Sequence, residues 1–320
     1  MNATVLGSGS WGTALAWLLG RAGHNVTLAG RSSEEIEGLR ATRRNPRYLT
    51  QTELPPNVAF ALLEETPKAA DLCVIAVPGN AVGTVLPFIP EGGPIVLAAK
   101  GLEPGRGRRL SEIVAEAKPG RAVGALSGPN LAVEIVKGVP TVALAAFIDL
   151  DQARIVRDAF FAPTFRVSVT DDLVGVELAG ALKNVLAIGA GVSDGLGFGD
   201  NTKGAFLSRG LMEMARLGTA MGGKMETFLG PAGVGDLFAT AASKLSRNHR
   251  VGELLGQGMP LAEALKAIGQ VTEGVPTAEA AVELAKRHNV PVPVITTVRD
   301  VIRGVCAPSA AVERLMARGE

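Results

Sequence analysis

Lys183 is the residue whose setting in the sequence most strongly suggests chemistry. It lies inside an otherwise uncharged run, Leu178 to Leu186. Burial would disfavour its ammonium form and lower the pKa of the side chain toward neutrality, the range in which a lysine can exchange a proton with a substrate. Two structural alternatives stay open, in which Lys183 extends to solvent or pairs with Glu177.

A second set of chemical groups follows about fifty residues downstream. Asp236 stands in a segment of small residues and could orient a substrate hydroxyl or the lysine. Ser246, Arg247 and Asn248 come just before a helical pattern. A hydroxyl, a guanidinium and an amide at a helix start can hold a phosphate monoester. The alternative is a capped surface helix with solvated arginines.

Two further segments follow strand-like runs, namely Lys100 with Gly101 and the stretch Ser127 to Asn130. Ligands bind outside the carboxyl ends of the strands in an open parallel sheet. Lys100, Gly128 and Asn130 are therefore candidates for contact with a ligand. Taken alone, a lysine after a strand is more often a surface charge.

Gly7, Gly9 and Gly12 satisfy the pattern G-x-G-x-x-G between a strand-like segment and an apolar helical one. Such a turn lets a pyrophosphate approach bare backbone and aims the N–H groups of a helix N-terminus at the anion. Ser10 and Trp11 would flank the phosphates. The alternative is a glycine-rich turn that binds no ligand.

The end of the second predicted strand bears on the choice of cofactor. The acidic residue that normally holds the ribose 2′-hydroxyl of NAD is missing from Ala29 to Ser33. Arg31 with neighbouring hydroxyls suits a 2′-phosphate, which favours NADP(H) and leaves NAD(H) open. Arg31 could also be solvated. For the serines we prefer a helix cap, because Ser32 and Glu35 match a capping box.

The elements that must position these residues differ between the two halves of the chain. Short apolar runs alternate with helical stretches in the first half, which is typical of an α/β fold with a doubly wound parallel sheet. Continuous apolar runs predict strands buried on both faces. The predicted strands are Thr4–Leu6, Val26–Ala29, Leu72–Val77, Ile95–Ala99 and Val123–Leu126, with Thr141–Ala146 and Phe165–Val169 extending the sheet.

After Val169 the strand-like runs end and helical spacing dominates. The sequence therefore predicts two domains, with residues 1–169 as a dinucleotide-binding domain and residues 170–320 as an all-helical domain for substrate binding and catalysis. Helices are predicted around the apolar positions from Phe206 to Met221 and at Leu261–Ile268, Thr277–His288, Val294–Arg303 and Ala310–Ala317.

Composition excludes several classes of partner. Thirty-two basic residues oppose 31 acidic ones, for a formal charge of +1, so no nucleic-acid partner is expected. Cys73, in an apolar run, is expected to be a buried and reduced thiol rather than part of a disulfide. We expect no integral membrane segment, since no apolar run approaches about 18 residues. These features predict an unprocessed, soluble, cytoplasmic protein, and no metal site is predicted.

Together the motifs resemble the bacterial-type NAD(P)-dependent glycerol-3-phosphate dehydrogenase family. They span nearly the whole chain in the family's order, whereas G-x-G-x-x-G alone would fit many dehydrogenases. The matching stretches are Gly7–Ala16, Lys100–Glu103, Ser127–Asn130, Lys183–Val185, Ser193–Gly195, Asn201–Lys203, Gly235–Leu237, Ser246–Asn248 and Glu273–Gly274.

The resemblance implies a Rossmann-type domain followed by a helical one, and reversible reduction of dihydroxyacetone phosphate to sn-glycerol 3-phosphate for glycerophospholipid synthesis. It implies Lys183 as the proton donor and acceptor, supported by Asp236, and a homodimer formed through the helical domain. The implied substrate contacts are Lys100, Gly128, Asn130, Lys183, Asp236, Ser246, Arg247 and Asn248. The implied cofactor contacts are Gly7, Gly9, Ser10, Trp11, Gly12, Arg31, Lys100, Ala132, Arg247, Val271 and Glu273.

Two other functions are weighed against this one. A β-hydroxyacid dehydrogenase would also combine a Rossmann domain, a helical domain and a catalytic lysine, but the Ser246 cluster favours a phosphate substrate. A redox-sensing regulator would bind a dinucleotide without turnover. No nucleic-acid module or basic run supports that function.

Overall fold

The computed structural model of the chain describes residues 1–316, which divide into two compact units. Unit 1 comprises Met1–Ala99 and Leu110–Leu173. Unit 2 comprises Lys100–Arg109 and the chain from Val174 onward. The ten residues Lys100–Arg109 therefore belong to unit 2, although they lie within the sequence of unit 1. The predicted domains, with one boundary near residue 170, did not include this segment in the second domain.

Within the described residues, every β-strand lies in unit 1. The strands are β1 (Asn2–Leu6), β2 (Asn25–Gly30), β3 (Val58–Leu62), β4 (Ala69–Ala70), β5 (Leu72–Ile75), β6 (Glu91–Gly92), β7 (Ile95–Leu97), β8 (Val123–Ser127), β9 (Thr141–Ala146) and β10 (Phe165–Thr170). Strands β4 and β6 form a small separate sheet.

The other strands form one sheet in the order β10-β9-β8-β7-β5-β1-β2-β3. All neighbours are parallel except β8 and β9, which pair antiparallel. Val5 of β1 lies between Leu28 of β2 and Val74 of β5. The direction of the strand order reverses between β1 and β5, and doubly wound sheets bind ligands at such a switch point.

The central strands are buried on both faces, as their continuous apolar runs predicted. The four residues of β5 are each at most 1% exposed. Burial also raises the pKa of the Cys73 thiol to about 12, so this thiol stays protonated and inert. Neither Cys73 nor Cys306 forms a disulfide. Strand β3 was not predicted, because its two alanines weaken the strand signal and its pairing with β2 is what places it in the sheet.

The helices of unit 1 cover the sheet. They are α1 (Ser10–Arg21), α2 (Ser33–Thr42), α3 (Val82–Val85), α4 (Leu110–Ala117), α5 (Ala132–Val136) and α6 (Leu150–Ala159). Ser32 caps α2 as expected, since its side chain accepts a hydrogen bond from Glu35 N at 3.3 Å. The Glu35 carboxylate accepts instead from Asn45, so the reciprocal bond of a capping box is replaced.

The regular elements of unit 2 are all helices among its described residues, as predicted, while the segment Lys100–Arg109 has no helix and carries one isolated β-bridge between Leu102 and Arg109. Its helices are α7 (Leu173–Gly195), α8 (Asp200–Ala220), α9 (Met225–Leu229), α10 (Asp236–Ala242), α11 (Arg247–Gly256), α12 (Leu261–Ile268), α13 (Gly274–Arg287), α14 (Pro293–Ile302) and α15 (Pro308–Met316). The predicted end of the last helix at Ala317 lies outside the described residues.

Helix α7 forms the centre of unit 2. Among the described helices it alone is long and apolar enough to cross a membrane by length and composition, and 89% of its apolar window is buried inside the protein. Its side chains contribute much of the apolar core, including Leu178, Leu182, Val185 and Leu186. We interpret α7 as a core helix.

Glycines let α7 and α11 cross with their backbones in contact. A Cβ atom on Gly252 of α11 would lie 1.9 Å from Ile188 O, and one on Gly191 of α7 would lie 2.0 Å from His249 O. No larger residue fits at either position. The crossing therefore fixes the start of α11 relative to the middle of α7, where Lys183 lies.

Candidate active site

The centre of the site is a carboxylate shared by two lysines in unit 2. Lys183 Nζ on α7 lies 2.9 Å from Asp236 Oδ1, at the start of α10. Lys100 Nζ lies 2.7 Å from Asp236 Oδ2. The side chain of Lys183 is only 7% exposed. Neither structural alternative for Lys183 holds, because it does not extend to solvent and because Glu177 pairs with Arg109 at 3.0 Å.

Burial shifts the proton affinity of this lysine as its sequence context predicts. Removal from water lowers the pKa of Lys183 from 10.5 to about 8, with the positive charges of Lys100 and Arg247 adding to the shift and Asp236 opposing it. Burial acts to raise the pKa of Asp236, yet the ammonium groups of Lys100 and Lys183 outweigh it and leave that pKa below its usual value. Asp236 is therefore ionised, and Lys183 titrates near pH 8.

Thr240 completes this cluster and was not predicted from the sequence. Its Oγ1 lies 2.5 Å from Lys183 Nζ and 3.3 Å from Asp236 Oδ1. Thr240 follows Asp236 by one helical turn, so both side chains share a face of α10. That i, i+4 spacing was visible in the sequence once the helix start was known.

A π-helical turn, Pro231–Gly235, places Asp236 at the first position of α10. The turn closes tightly, since a Cβ atom on Gly233 would lie 2.0 Å from Phe228 O. Such turns occur frequently at functional sites. The small residues before Asp236 are thus explained by the tight backbone packing of this turn.

A chain of amides joins the segments that carry the site. Asn184 Nδ2 donates to Lys100 O at 3.3 Å, and Asn184 Oδ1 accepts from Asn248 Nδ2 at 2.9 Å. Asn248 Oδ1 in turn accepts from Gly274 N at 2.9 Å. These groups are buried, and Asn184 was not among the predicted site residues. Its position next to Lys183 points its side chain toward Lys100 and α11.

The remaining members of the Ser246 cluster lie at the first turn of α11. Ser246 is the N-cap residue, and its Oγ accepts from His249 N at 3.2 Å. Arg247 is exposed at the first helical position and close enough to influence the charge of Lys183. The helix start thus has both a side-chain cap and an exposed arginine. This arrangement agrees with a phosphate-binding site and equally with a capped surface helix, the two interpretations of this segment.

The glycine turn of unit 1 is tightly packed at its first and third glycines and open at its second. Gly7 has φ +117°, and a Cβ atom on Gly12 would lie 1.8 Å from Gly7 O. A Cβ atom on Gly9 would meet nothing within 4 Å. Gly9 is the N-cap residue of α1 and provides no capping side chain. The first and third glycines are needed by the turn itself, whereas the second leaves open space before the helix N-terminus, the position at which the sequence predicts a pyrophosphate.

The other predicted cofactor and substrate residues are divided between the units. Ser10 and Trp11 begin α1, Arg31 is exposed after β2, and Gly128 (φ +141°), Asn130 and Ala132 follow β8 in unit 1. Asn130 Nδ2 donates to Val142 O at 3.0 Å. Val271 is 40% exposed in unit 2, and Glu273 is the N-cap residue of α13.

A Rossmann-type sheet with this turn, followed by a helical unit with a buried lysine, defines the class of NAD(P)-dependent oxidoreductases that act on a CH–OH group. The chain belongs to the NAD-dependent glycerol-3-phosphate dehydrogenase family, because the models of the family's N-terminus and C-terminus match residues 2–153 and 172–313. The resemblance inferred from the motifs is thereby confirmed.

Individual proteins agree with this assignment. The chain is 44% identical over 324 residues to a glycerol-3-phosphate dehydrogenase [NAD(P)+] of Desulfitobacterium hafniense, covering 99% of this chain and 91% of that one. It is 46% identical over 303 residues to the corresponding protein of Moorella thermoacetica, covering 93% and 90%. The crystal structure of glycerol-3-phosphate dehydrogenase from Coxiella burnetii superimposes with a TM-score of 0.92 at 36% identity, covering 99% of both chains.

The lowered pKa of Lys183 predicts a pH-dependent stability. The folded protein releases this proton near pH 8, whereas the unfolded chain holds it to about pH 10.5. The unfolded chain therefore binds more protons between these values, and the free energy of unfolding rises with pH across the window. The rise is on the order of 3 kcal/mol, since each pKa unit is worth about 1.4 kcal/mol.

Urea unfolding at pH 7.5 and pH 10 measures this contribution. Lys183→Met should lose the rise, while Lys286→Met, at a lysine whose side chain is 65% exposed, should keep it. The same pH dependence in native protein and Lys183→Met would show that Lys183 is not destabilised by burial.

Proposed function

We propose that this protein is an sn-glycerol-3-phosphate dehydrogenase that reversibly reduces dihydroxyacetone phosphate with NADPH, and with NADH as a second cofactor. The observation that carries the proposal is Lys183, buried with a pKa of about 8 and held by a carboxylate. A ketone reductase needs a proton donor of this kind for its alkoxide product.

Lys183 supplies the proton in the proposed reaction. When bound, NAD(P)H would supply the hydride for reduction of the ketone, and the oxidised cofactor would accept hydride from the alcohol in the reverse direction. As negative charge grows on the carbonyl oxygen, protonated Lys183 Nζ delivers a proton to that oxygen, and neutral Lys183 removes it again in the reverse direction. Asp236 and Thr240 hold Nζ in place through bonds of 2.9 Å and 2.5 Å. Lys100 adds positive charge next to the developing oxyanion.

The start of α11 binds the phosphate of the substrate. Arg247 offers an exposed guanidinium there, beside the Ser246 hydroxyl and the Asn248 amide. Gly128 and Asn130 add contacts to the substrate. Binding energy from the phosphate, which does not react, fixes the carbonyl for proton transfer. Because the Asn248 side chain already bonds to Asn184 and Gly274, its main contribution is to hold the turn.

The cofactor is bound chiefly through the glycine turn. The N-terminus of α1 would hold the pyrophosphate. Arg31 would contact the 2′-phosphate of NADP, since its exposed guanidinium follows β2 directly, where no acidic residue stands before Glu34. The remaining proposed contacts are Ser10, Trp11, Lys100, Ala132, Arg247, Val271 and Glu273.

The protein would act in the cytoplasm as a homodimer and supply glycerol phosphate for phospholipid synthesis. Two cysteines without a disulfide suit a reducing compartment. Exposed apolar side chains on consecutive helices of unit 2 support a dimer through that unit. They are Met212, Met225, Leu229 and Phe238.

One assay tests the reaction directly. The native protein is mixed with NADPH and dihydroxyacetone phosphate, and the absorbance of the reduced nicotinamide is followed. Turnover supports the proposal. Binding of NADPH without turnover would indicate a regulator. Failure to reduce dihydroxyacetone phosphate together with oxidation of a 3-hydroxyacid by NADP+ would indicate a hydroxyacid dehydrogenase.

Replacing Lys183 by Met should abolish most catalysis without loss of the fold. We expect kcat to fall about 10²–10⁴-fold, the usual contribution of a general acid, because no other group replaces the proton donor. Lys286→Met is the control. Near-normal turnover by Lys183→Met would refute the role of the lysine.

Arg247→Ala should weaken phosphorylated substrates selectively. KM for dihydroxyacetone phosphate should rise about 10- to 100-fold, as for loss of a hydrogen bond to a charged group. At saturating NADPH, which compensates for the proposed contact of Arg247 with the cofactor, kcat/KM for dihydroxyacetone should stay nearly unchanged. Arg250→Ala, at an exposed arginine on the same helix, is the matched control. Equal losses for both ketones would contradict a phosphate role for Arg247.

Gly9→Ala should separate cofactor binding from folding. The added Cβ meets no protein atom, so thermal unfolding should stay close to native, but it occupies the space left for the pyrophosphate. KM for NADPH should rise at least about tenfold. Gly12→Ala, whose Cβ would lie 1.8 Å from Gly7 O, should instead lower the melting temperature. Unchanged NADPH binding in Gly9→Ala would place the cofactor elsewhere.

A further inference from the structure

A second polar cluster of unit 2 lies next to the α11 turn and takes no part in the reaction described above. His249 Nε2 lies 2.8 Å from Asp194 Oδ2, and Lys203 Nζ lies 2.8 Å from Asp194 Oδ1. Asp194 stands near the end of α7, Lys203 in the first turns of α8 and His249 in the first turn of α11. One carboxylate thus joins three helices.

The His249 ring depends on this carboxylate for its position. The residue is 5% exposed, and its Nδ1 is buried with no hydrogen-bond partner among the described residues. Among residues 1–316, the contact of Nε2 with Asp194 is therefore the one side-chain hydrogen bond that orients the ring. Asp194 is itself anchored as an anion, because its bonds to Lys203 and His249 outweigh burial and lower its pKa.

His249 also belongs to the backbone that carries the proposed phosphate contacts. Its N–H donates to the Ser246 Oγ cap, and Arg247 precedes it by two residues. Asn248 ties the same turn to Asn184 and Gly274. Two neighbouring residues of this turn therefore have different partners. Asn248 bonds to the Asn184 side chain and the Gly274 backbone, and His249 bonds to Asp194.

We propose that Asp194 and His249 are positioning residues that hold the first turn of α11 in the geometry that grips the substrate phosphate. This inference rests on the proposed function, which places the substrate phosphate at the first turn of α11. Neither side chain touches the reacting atoms. Loss of their bond leaves Arg247 and Ser246 present but displaced, and small displacements of a binding group reduce its contribution steeply.

The test compares His249→Leu with His249→Gln. Leucine removes the bond to Asp194, whereas the glutamine amide can reach the same distance and donate to it. We expect His249→Leu to raise KM for dihydroxyacetone phosphate about tenfold or more, with kcat within about twofold of native and kcat/KM for dihydroxyacetone unchanged. His249→Gln should restore KM to within about threefold of native.

Two further variants guard against misfolding. Asp194→Asn changes a side chain that is 24% exposed and should raise KM in the same direction even if His249→Leu does not fold. Glu213→Gln is the structural control, because Glu213 is a buried carboxylate of unit 2 that accepts from Val294 N and Ile295 N at the start of α14. It should lower the melting temperature and leave KM unchanged.

The outcomes distinguish this inference from the proposed function. Unchanged KM in His249→Leu and Asp194→Asn, or equal losses for both ketones, would overturn the positioning role. Absence of turnover by the native protein would refute the proposed function instead. The inference is then decided by calorimetric titration with inorganic phosphate, which native protein should bind at least tenfold more tightly than His249→Leu. Equal affinity, or no binding by native protein, would overturn it.

Discussion

The site depends on the carboxylate of Asp236, which two ammonium groups share. An unpaired ammonium group on a core helix would move to solvent or lose its proton, because the free energy of desolvation exceeds what weak contacts can recover. The negative charge of Asp236 offsets part of this desolvation free energy. The positive charge of Lys100 opposes the effect of Asp236 on the pKa of Lys183. The result is a lysine whose pKa is lowered to about 8 although it is paired with an anion. The balance among these three charges is what makes Lys183 both tolerable in the core and able to titrate.

The scaffold of unit 2 keeps this balance in place. Glycines bring α7 and α11 into backbone contact, and the Asn184 and Asn248 amides connect Lys100, α11 and α13. The bonds of Asn248 to Asn184 and Gly274 are buried and the bond of Asn184 to Lys100 is partly buried, and together they favour one arrangement of these segments. The stretch Lys100–Arg109 joins unit 2 even though strand β7 precedes it. The residues proposed to transfer the proton therefore belong to a single unit, while the glycine turn belongs to the other.

Much of the architecture was predictable because it depends on local periodicity. Apolar runs such as Leu72–Ile75 indicated buried strands, and helical spacing after residue 170 indicated the helical unit. Strand β3 and the antiparallel pairing of β9 were not predictable in this way. Both depend on which strand lies alongside, and a pattern within one segment carries little information about its neighbour.

By itself the sequence determined the glycine turn, the anomalous lysine at position 183 and the identity of the family. The glycine turn follows from residues that alone fit its backbone, and the unusual pKa of Lys183 follows from a lysine placed in an apolar run. Tertiary structure decided the rest. It selected Asp236 over Glu177 as the partner of Lys183, added Thr240, and brought Asp194 to His249. These pairs join residues distant in sequence, and only the packing of helices against one another determines which charges meet.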